Sequence, residues 1–128
     1  MAMSGGVDSS VSAKLLLDQG YEVVGAYIKC WAGLSTSDGV KFTDQCTWKG
    51  DWRDALAVAA KLKIPLVKFD FTKEYQEAVV EYFFREAAAG RTPNPDVMCN
   101  REIKFGVFFK AARAAGADFI ATGHYVKK

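Results

Sequence analysis

The chain has 128 residues, which fits one domain because domains commonly run about 100–200 residues. Hydrophobic residues make up 50% and charged residues 25%, so the composition is globular and argues against a collagen-like, coiled-coil or disordered chain. Seventeen basic and fifteen acidic residues give a formal net charge of +2, which neither requires nor excludes a nucleic-acid partner.

Apolar runs and helical patterns alternate along the first half of the chain. A short apolar segment at residues 1–3 precedes a helix that Gly20 would end. Residues 21–28 are rich in β-formers and predict a buried strand. Residues 29–50 show no clear period and predict a loop, which at that length is uncommon unless it is functional or mobile.

The second half repeats this alternation. An apolar stripe with helical spacing predicts a helix through Trp52, Ala55, Leu56, Ala59 and Leu62. Residues 65–71 predict a second strand, and a helix that ends at Gly90 follows it. Next come a loop over residues 91–100, a helix that ends near Gly116 and a strand over residues 118–122.

This order of elements favours an α/β fold, a doubly wound parallel sheet with helices on both faces and a truncated first strand. We expect a single domain over residues 1–128. The aromatic residues of the later helices follow helical spacing, so they are interpreted as core rather than as surfaces that stack on bases. These residues are Tyr75, Tyr82, Phe83, Phe105, Phe108 and Phe109.

The three cysteines are not spaced as C-x-x-C, which favours a reducing compartment over a disulfide scaffold or a zinc site. No apolar run approaches the ~20 residues that span a bilayer, and no signal peptide is visible. We therefore expect a cytoplasmic protein without membrane contact.

A glycine-rich loop, residues 4–10 with the sequence Ser-Gly-Gly-Val-Asp-Ser-Ser, joins the first short strand to the first helix. Glycines let a backbone approach an anion closely, and the free N–H groups of a helix N-terminus attract one. Ser9 and Ser10 could add hydroxyl donors, and Asp8 could cap the helix or bind Mg²⁺. The alternative is a plain turn with an N-cap, but the loop has more glycine and polar residues than a turn needs.

A second polar segment holds Pro93, Pro95 and Cys99 within a loop that the two prolines stiffen. We expect Cys99 to lie just before a helix that starts near residue 100, where Arg101 and Lys104 would favour its thiolate. A thiolate can break a persulfide. The competing interpretation of Cys99 is a small buried hydrophobic residue. Asp96, three residues earlier, fits an acid or base and a helix cap about equally well.

The glycine-rich loop resembles the pyrophosphate-binding loop of the ATP pyrophosphatases, which cleave ATP between its α and β phosphates and adenylate a substrate. A longer set of motifs is similar to the tRNA-specific 2-thiouridylases, which replace the C2 oxygen of the wobble uridine with sulfur. That set comprises residues 90–100, 103–106 and 121–125, with Cys46-Thr47 and residues 51–55 before the second helix.

The resemblance implies a site residue by residue. Cys99 would be the nucleophile, with Asp96 beside it, and Asn94, Pro95 and Asp96 would contact the target base. His124, the single histidine, would contact tRNA. The positions that would contact ATP are Ala2, Met3, Ser4, Gly5, Gly6, Val7, Asp8, Ser9, Ile28 and Gly123.

The resemblance also implies ATP and Mg²⁺, with Asp8 as a magnesium ligand, and tRNA and a sulfur-relay donor protein as partners. The persulfide-bearing cysteine of the family lies well downstream, so we expect this chain by itself not to thiolate tRNA. Cys30 is interpreted as core or loop filler, and Cys46 matches a family position without a catalytic role. The glycine-rich loop also fits an ATP pyrophosphatase with another acceptor, or an ATP-binding module without turnover.

Overall fold

A computed structural model describes residues 1–31, 34–35, 41–42 and 48–125 of the chain. The strands are β1 (Gly25–Lys29), β2 (Leu34–Ser35), β3 (Lys41–Phe42) and β4 (Leu66–Asp70). The α-helices are α1 (Val7–Asp18), α2 (Trp48–Leu62), α3 (Thr72–Tyr75), α4 (Glu81–Ala88), α5 (Pro95–Met98) and α6 (Phe108–Ala114). The π-helical segments Gln76–Val80 and Cys99–Val107 join α3 to α4 and α5 to α6 without a break.

A small parallel sheet lies at the centre of the fold. β1 pairs with β4 in parallel, and Ala2 forms a parallel bridge with Ala26 on the other side of β1. The Ala2 N–H in turn donates to the Ala121 carbonyl at 2.8 Å. Because these pairs are parallel, the carboxyl ends of the first segment, β1 and β4 lie at one edge of the sheet, where open α/β sheets bind ligands.

Helices cover both faces of β1, because neighbouring side chains of a strand point to opposite faces. Ala26 belongs to one buried cluster together with Val79, Ile103 and Phe108 of the later helices. Tyr27 belongs to a second cluster, formed with Met3 and Ala55 of α2.

Two predicted strands differ from the structure. Residues 21–24 lie outside β1, and although Val23 is buried, Tyr21 and Val24 are 54% and 43% exposed, so the segment does not form the fully buried strand that its composition predicts. Residues 118–122 are not a strand, and Phe119 is 80% exposed. The hydrogen bond to Ala121 nonetheless places this segment beside the first one.

The loop prediction for residues 91–100 is wrong in its second half, where a helix begins at Pro95. Asn94 caps it, because its Oδ1 accepts a hydrogen bond from the Val97 N–H at 3.1 Å. Pro95 occupies the first helical position, where proline lacks an N–H that would have no partner in the helix. The predicted loop over residues 29–50 also differs, since it holds β2, β3 and the start of α2.

The predicted aromatic core is only partly confirmed. Phe108 is 1% exposed, but Phe83, Phe105 and Phe109 are 40%, 52% and 42% exposed. Helical spacing alone did not distinguish the face of each helix that meets the sheet from the faces beside it. Among the described residues, the helices are too short or too polar to cross a membrane.

Candidate active site

The glycine-rich loop packs tightly against the start of α2. Gly5 has a φ of +83°, in the left-handed region that favours glycine. A Cβ added there would lie 2.9 Å from the Asp51 carbonyl oxygen and 3.1 Å from the Ala55 nitrogen. Glycine at position 5 is therefore required both by the backbone angle and by the close approach of α2.

The serine hydroxyls of the loop hydrogen-bond within the loop. Ser9 is buried and its Oγ donates to the Gly6 carbonyl at 3.1 Å, while the Ser4 N–H donates to the Ser9 Oγ at 3.3 Å. The Ser10 Oγ donates to the same Gly6 carbonyl at 2.7 Å. Both hydroxyls therefore hold the backbone of the loop in shape, and their role as donors to an anion stays a prediction.

The first residues of α1 are exposed. Gly6 is the N-cap residue, and Gly6, Val7 and Asp8 are exposed. The first N–H groups of a helix lack intrahelical acceptors and carry the positive end of the helix dipole. This geometry fits a phosphate group at the start of α1.

Asp8 does not cap α1, because its Oδ1 accepts a hydrogen bond from the Tyr125 hydroxyl at 2.8 Å. That bond, followed by the Asp8 charge, raises the pKa of Tyr125. Asp8 is exposed, so its second carboxylate oxygen is open to a cation. Among the described residues no three acidic, histidine or cysteine side chains gather as a metal site. Mg²⁺ would therefore rest on Asp8 and on the phosphates of a nucleotide, as it commonly does.

The segment after Thr122 joins the glycine-rich loop to the helix that carries Cys99. A Cβ added to Gly123 would lie 2.9 Å from the Ser9 nitrogen, so the segment lies directly against the start of α1. The His124 ring lies 5.9 Å from the Phe105 ring, and its Nδ1 lies 2.7 Å from the Thr122 Oγ1. These contacts bring together two motifs that are about ninety residues apart in the chain.

Cys99 lies inside a helix rather than before one. It follows the short helix α5 directly and is the first residue of the π-helical segment. The expected activation by a helix N-terminus at residue 100 is therefore wrong, because the helix begins at Pro95. π-Helical turns are frequent at functional sites.

Cys30 and Cys99 pack against the same buried cluster, which the sequence did not predict. Cys30 follows the last residue of β1, and both cysteines pack partly buried against the buried cluster that contains Ile103. Each thiol shifts the pKa of the other. The nearest signal in the sequence was the position of Cys30 at the carboxyl end of a predicted strand.

The pKa values of the two thiols shift in opposite directions. The Cys30 thiol lowers the pKa of Cys99 to about 7, burial opposes that shift, and the Lys104 charge supports it. The Cys99 thiol, followed by burial, raises the pKa of Cys30. The lowered pKa of Cys99 agrees in direction with the prediction from sequence, but its main cause is a second thiol. Arg101 instead pairs with Glu102 at 2.7 Å.

The other residues predicted to contact ATP or the base lie partly in the core and partly at the surface. Met3 is buried, so its side chain belongs to the core, and Ala2 and Ile28 pack partly buried beside Ala26. The side-chain oxygen of Asn94 caps the helix that begins at Pro95. Asp96 lies in the first turn of that helix and is exposed. Cys46 lies outside the described residues.

An apolar groove of about 380 Å³ opens beside Pro95. The ring of Trp31 meets that of Tyr75 edge-on at 6.1 Å on one side of it. Further lining residues are Val79, Val80, Phe83 and Phe84. Phe83, interpreted from sequence as core, therefore lines a surface groove.

The chain matches the tRNA methyl transferase HUP domain family over residues 1–128. It is 54% identical over 128 residues to the tRNA-specific 2-thiouridylase MnmA of Christiangramia forsetii. It is 51% identical over 127 residues to the protein of the same name from Streptococcus pyogenes serotype M1. The alignments cover 100% and 99% of the chain but 31% and 32% of these relatives, so the chain spans about a third of their length.

The resemblance found in the glycine-rich loop and around Cys99 is thus confirmed over the whole chain. An α/β fold with a parallel sheet and helices on both faces of β1 is consistent with the match. The chain belongs to the tRNA methyl transferase HUP domain family, and its relatives are tRNA-specific 2-thiouridylases.

Proposed function

We infer that this chain is the nucleotide-binding and nucleophile-bearing part of a tRNA 2-thiouridylase. The observation that carries this function is the half-buried Cys99, whose pKa of about 7 makes it a substantial thiolate near neutral pH. It lies on the helix that segment 122–125 connects to the glycine-rich loop. A thiolate beside an ATP site is what sulfur transfer to an adenylated base needs.

The proposed reaction has two stages. The uridine C2 oxygen attacks the α-phosphorus of ATP and pyrophosphate leaves, with the start of α1 facing the phosphates. Asp8 would hold Mg²⁺, which would supply further neutralisation of the phosphate charge. The terminal sulfur of a cysteine persulfide, supplied by a sulfur-relay donor, then attacks C2 and AMP leaves. The Cys99 thiolate attacks the inner sulfur, which breaks the S–S bond, leaves C2=S on the base and joins the two cysteines as a disulfide. A cellular thiol reductant restores both cysteines.

In this proposal the target base binds in the apolar groove beside Pro95. Sequence-specific RNA recognition often splays a base out and stacks it on aromatic side chains. The apolar groove beside Pro95 offers such a surface through Trp31 and Tyr75. In this proposal Asn94 and Asp96 lie at the rim of the groove, and His124 contacts the tRNA near the nucleotide.

The finer features of the fold belong to the same proposal. The parallel sheet is the first half of a doubly wound sheet, and residues 1–128 form the ATP pyrophosphatase domain of a cytoplasmic enzyme. Ser4, Gly5, Gly6 and Val7 would cradle the phosphates, while Ala2, Met3, Ser9, Ile28 and Gly123 shape the surrounding pocket.

Two other functions compete with this one. Methyl transfer, which the family description names, needs no thiolate, so the Cys30–Cys99 pair favours thiolation. An ATP-binding module without turnover, or an enzyme with another acceptor, would also leave this pair without a role.

The full-length protein tests the proposal directly. Unmodified tRNA is incubated with the enzyme, ATP, Mg²⁺ and a persulfide-loaded donor, and nucleosides are separated by mass spectrometry. We expect 2-thiouridine to form only with ATP present, together with one AMP per sulfur. A methylated product, or AMP formed without thiolation, would assign the chain to one of the competing functions.

A further inference from the structure

We propose that Lys49 and Lys68, gathered around the ring of Trp48, form a surface that binds the phosphate backbone of tRNA outside the groove for the target base. The proposal rests on the proposed function, since it names a further contact with the same RNA substrate. The chemistry is that of a phosphate group held by exposed ammonium groups, and the source of that phosphate is the tRNA backbone rather than ATP.

Trp48 is the first residue of α2, and the sheet holds it in place. The Tyr27 hydroxyl donates to the Trp48 carbonyl oxygen at 3.0 Å. Tyr27 is buried, and its ring meets the Trp52 ring edge-on with 5.3 Å between the ring centres. The start of α2 is therefore tied to a buried residue of β1, so the backbone that carries the Trp48 ring has a fixed place beside the sheet.

Three lysines from three different elements meet at the Trp48 ring. The ammonium nitrogens lie 5.2 Å (Lys29), 6.0 Å (Lys49) and 5.0 Å (Lys68) from the centre of that ring. The face of an indole ring is electron-rich and attracts ammonium groups. The ring therefore gathers positive charges that β1, α2 and β4 supply from well-separated places in the sequence.

Among the described residues, one of these three lysines has a carboxylate partner and two have none. Lys29 pairs with Asp70 across the strands, with 2.8 Å between Nζ and Oδ2. Lys49 and Lys68 are exposed, and neither forms a salt bridge within the described part of the chain. Asp54, an acidic residue of the same helix, lies on the side of α2 that faces the glycine-rich loop. Two positive charges therefore remain at the surface beside one ring.

This arrangement favours an anion. Two like charges held beside the same ring repel each other, and an anion between them removes that repulsion. The lysine ammonium is a compact, strongly hydrated point charge that commonly binds phosphate. The net charge of +2 does not require RNA, but charge acts locally, since the Debye length in physiological salt is about 8 Å. Two ammonium groups at one place can therefore bind phosphate although the whole chain is nearly neutral.

The position of the surface favours the RNA backbone over ATP. Lys29 is the last residue of β1, and Trp31, two residues later, lines the groove in which the proposed function places the base. An RNA with its base in that groove would run its backbone past Trp48. The proposed phosphate cradle for ATP lies elsewhere. The glycine-rich loop packs against Asp51, which helical spacing places on nearly the opposite side of α2 from Lys49.

The test compares two double variants of the full-length protein that lose the same charge. Lys49→Gln/Lys68→Gln removes both ammonium groups of the surface. Lys61→Gln/Lys110→Gln, the matched control, removes two exposed charges from the last turn of α2 and from α6. Lys49→Arg/Lys68→Arg keeps the charge. Affinity for unmodified tRNA is measured by filter binding at several salt concentrations without ATP, and ATP affinity is measured separately by calorimetry.

We expect Lys49→Gln/Lys68→Gln to weaken tRNA binding about tenfold at about 0.1 M salt. The slope of log affinity against log salt should become shallower by about 2, since each lost phosphate contact removes about 1. The control and the arginine variant should keep the original slope, and ATP affinity should not change in any variant. Unchanged tRNA binding, or an equal loss in the control, would overturn the proposal. A matching loss of ATP affinity would also overturn it, because the lysines would then belong to the nucleotide site.

Binding and reaction together separate this inference from the proposed function. If tRNA binds through these lysines but the protein forms no 2-thiouridine, the surface stands and the proposed function is wrong. If 2-thiouridine forms while Lys49→Gln/Lys68→Gln leaves tRNA affinity and its salt dependence unchanged, the proposed function stands and the surface is wrong.

Discussion

The glycine-rich loop and the Cys99 site lie at the same edge of the sheet but are built in opposite ways. Ser4, Gly6, Ser9 and Ser10 hydrogen-bond among themselves within seven consecutive residues. The pKa of Cys99 is instead lowered mainly by Cys30, 69 positions away. The loop can be recognised from a short sequence motif. The Cys99 site depends on how the sheet and helices pack together.

The two regions also differ in what a substitution would disturb. A change in the loop alters backbone shape and the phosphate cradle, while a change at Cys99 removes one reactive atom and leaves the backbone in place. If the regions are separate parts of one enzyme, their variants should show losses of different kinds.

The largest expected effect is at the reactive sulfur. Cys99→Ser in the full-length protein should lower tRNA thiolation by at least about a hundredfold, because a serine hydroxyl cannot break a persulfide. ATP affinity, measured by calorimetry, should stay within about twofold, because the phosphate cradle is made by other residues. A parallel loss of ATP binding would show that the two regions are not separable in this way.

Gly5→Ala should be the most damaging change in the loop. The new Cβ would meet the Asp51 carbonyl at 2.9 Å on a residue with a φ of +83°. Strain of this kind costs on the order of 1–3 kcal/mol, and displacing the loop should weaken ATP binding by tenfold or more. Calorimetric titration with ATP and Mg²⁺ measures the affinity.

Gly50→Ala is the matched control for Gly5→Ala. Gly50 lies in α2, and a Cβ there would have no described atom within 4 Å. The same substitution should leave ATP affinity unchanged and stabilise α2 by up to about 1 kcal/mol. Equal losses in the two variants would refute the assignment of the cradle to residues 4–10.

Asp8→Asn should remove much of the magnesium dependence of ATP binding, because an amide is a weaker ligand than a carboxylate. We expect a loss of about tenfold in affinity with Mg²⁺ present and little change without it. Tyr125→Phe serves as the control, since it removes the hydroxyl that donates to Asp8 but keeps the carboxylate. A similar loss in Tyr125→Phe would place the effect in the hydrogen bond and not in the metal.

The smallest effect concerns the ion pair that precedes Cys30. Hydrogen bonds from Lys29 and then Thr72 lower the pKa of Asp70 from 3.8 to about 2. The stabilisation is therefore fully present above pH 4 and is lost as the pH falls through 2. Because Asp70 is largely exposed, Asp70→Asn should cost less than about 1 kcal/mol at pH 7. Urea unfolding at pH 7 and at pH 2 checks this, and a cost that persists at pH 2 would contradict it.

The sequence by itself determined the family, the glycine-rich loop and the approximate order of strands and helices. These features are local: glycines at fixed places, β-formers in runs, and polar residues at helix starts act within a few residues of one another. The same locality explains why the loop motif was identified although the roles of Ser9 and Ser10 were not. Both hydroxyls donate to the Gly6 carbonyl, which also accepts from the Ser10 N–H, so these bonds form within the loop itself.

Only the tertiary structure decided the partner of Cys99 and the exposure of the aromatic residues. The sequence analysis interprets Cys30 as core or loop filler, because no residue near it in the sequence indicates a charged or reactive neighbour. The parallel pairing of β1 with β4 and the packing of Ile103 place both cysteines against one buried cluster. The pKa of a thiol depends on donors and charges within a few ångströms, whatever their separation in the chain. The packing of the sheet against the helix sets that distance, so it cannot be predicted from a short stretch of the sequence.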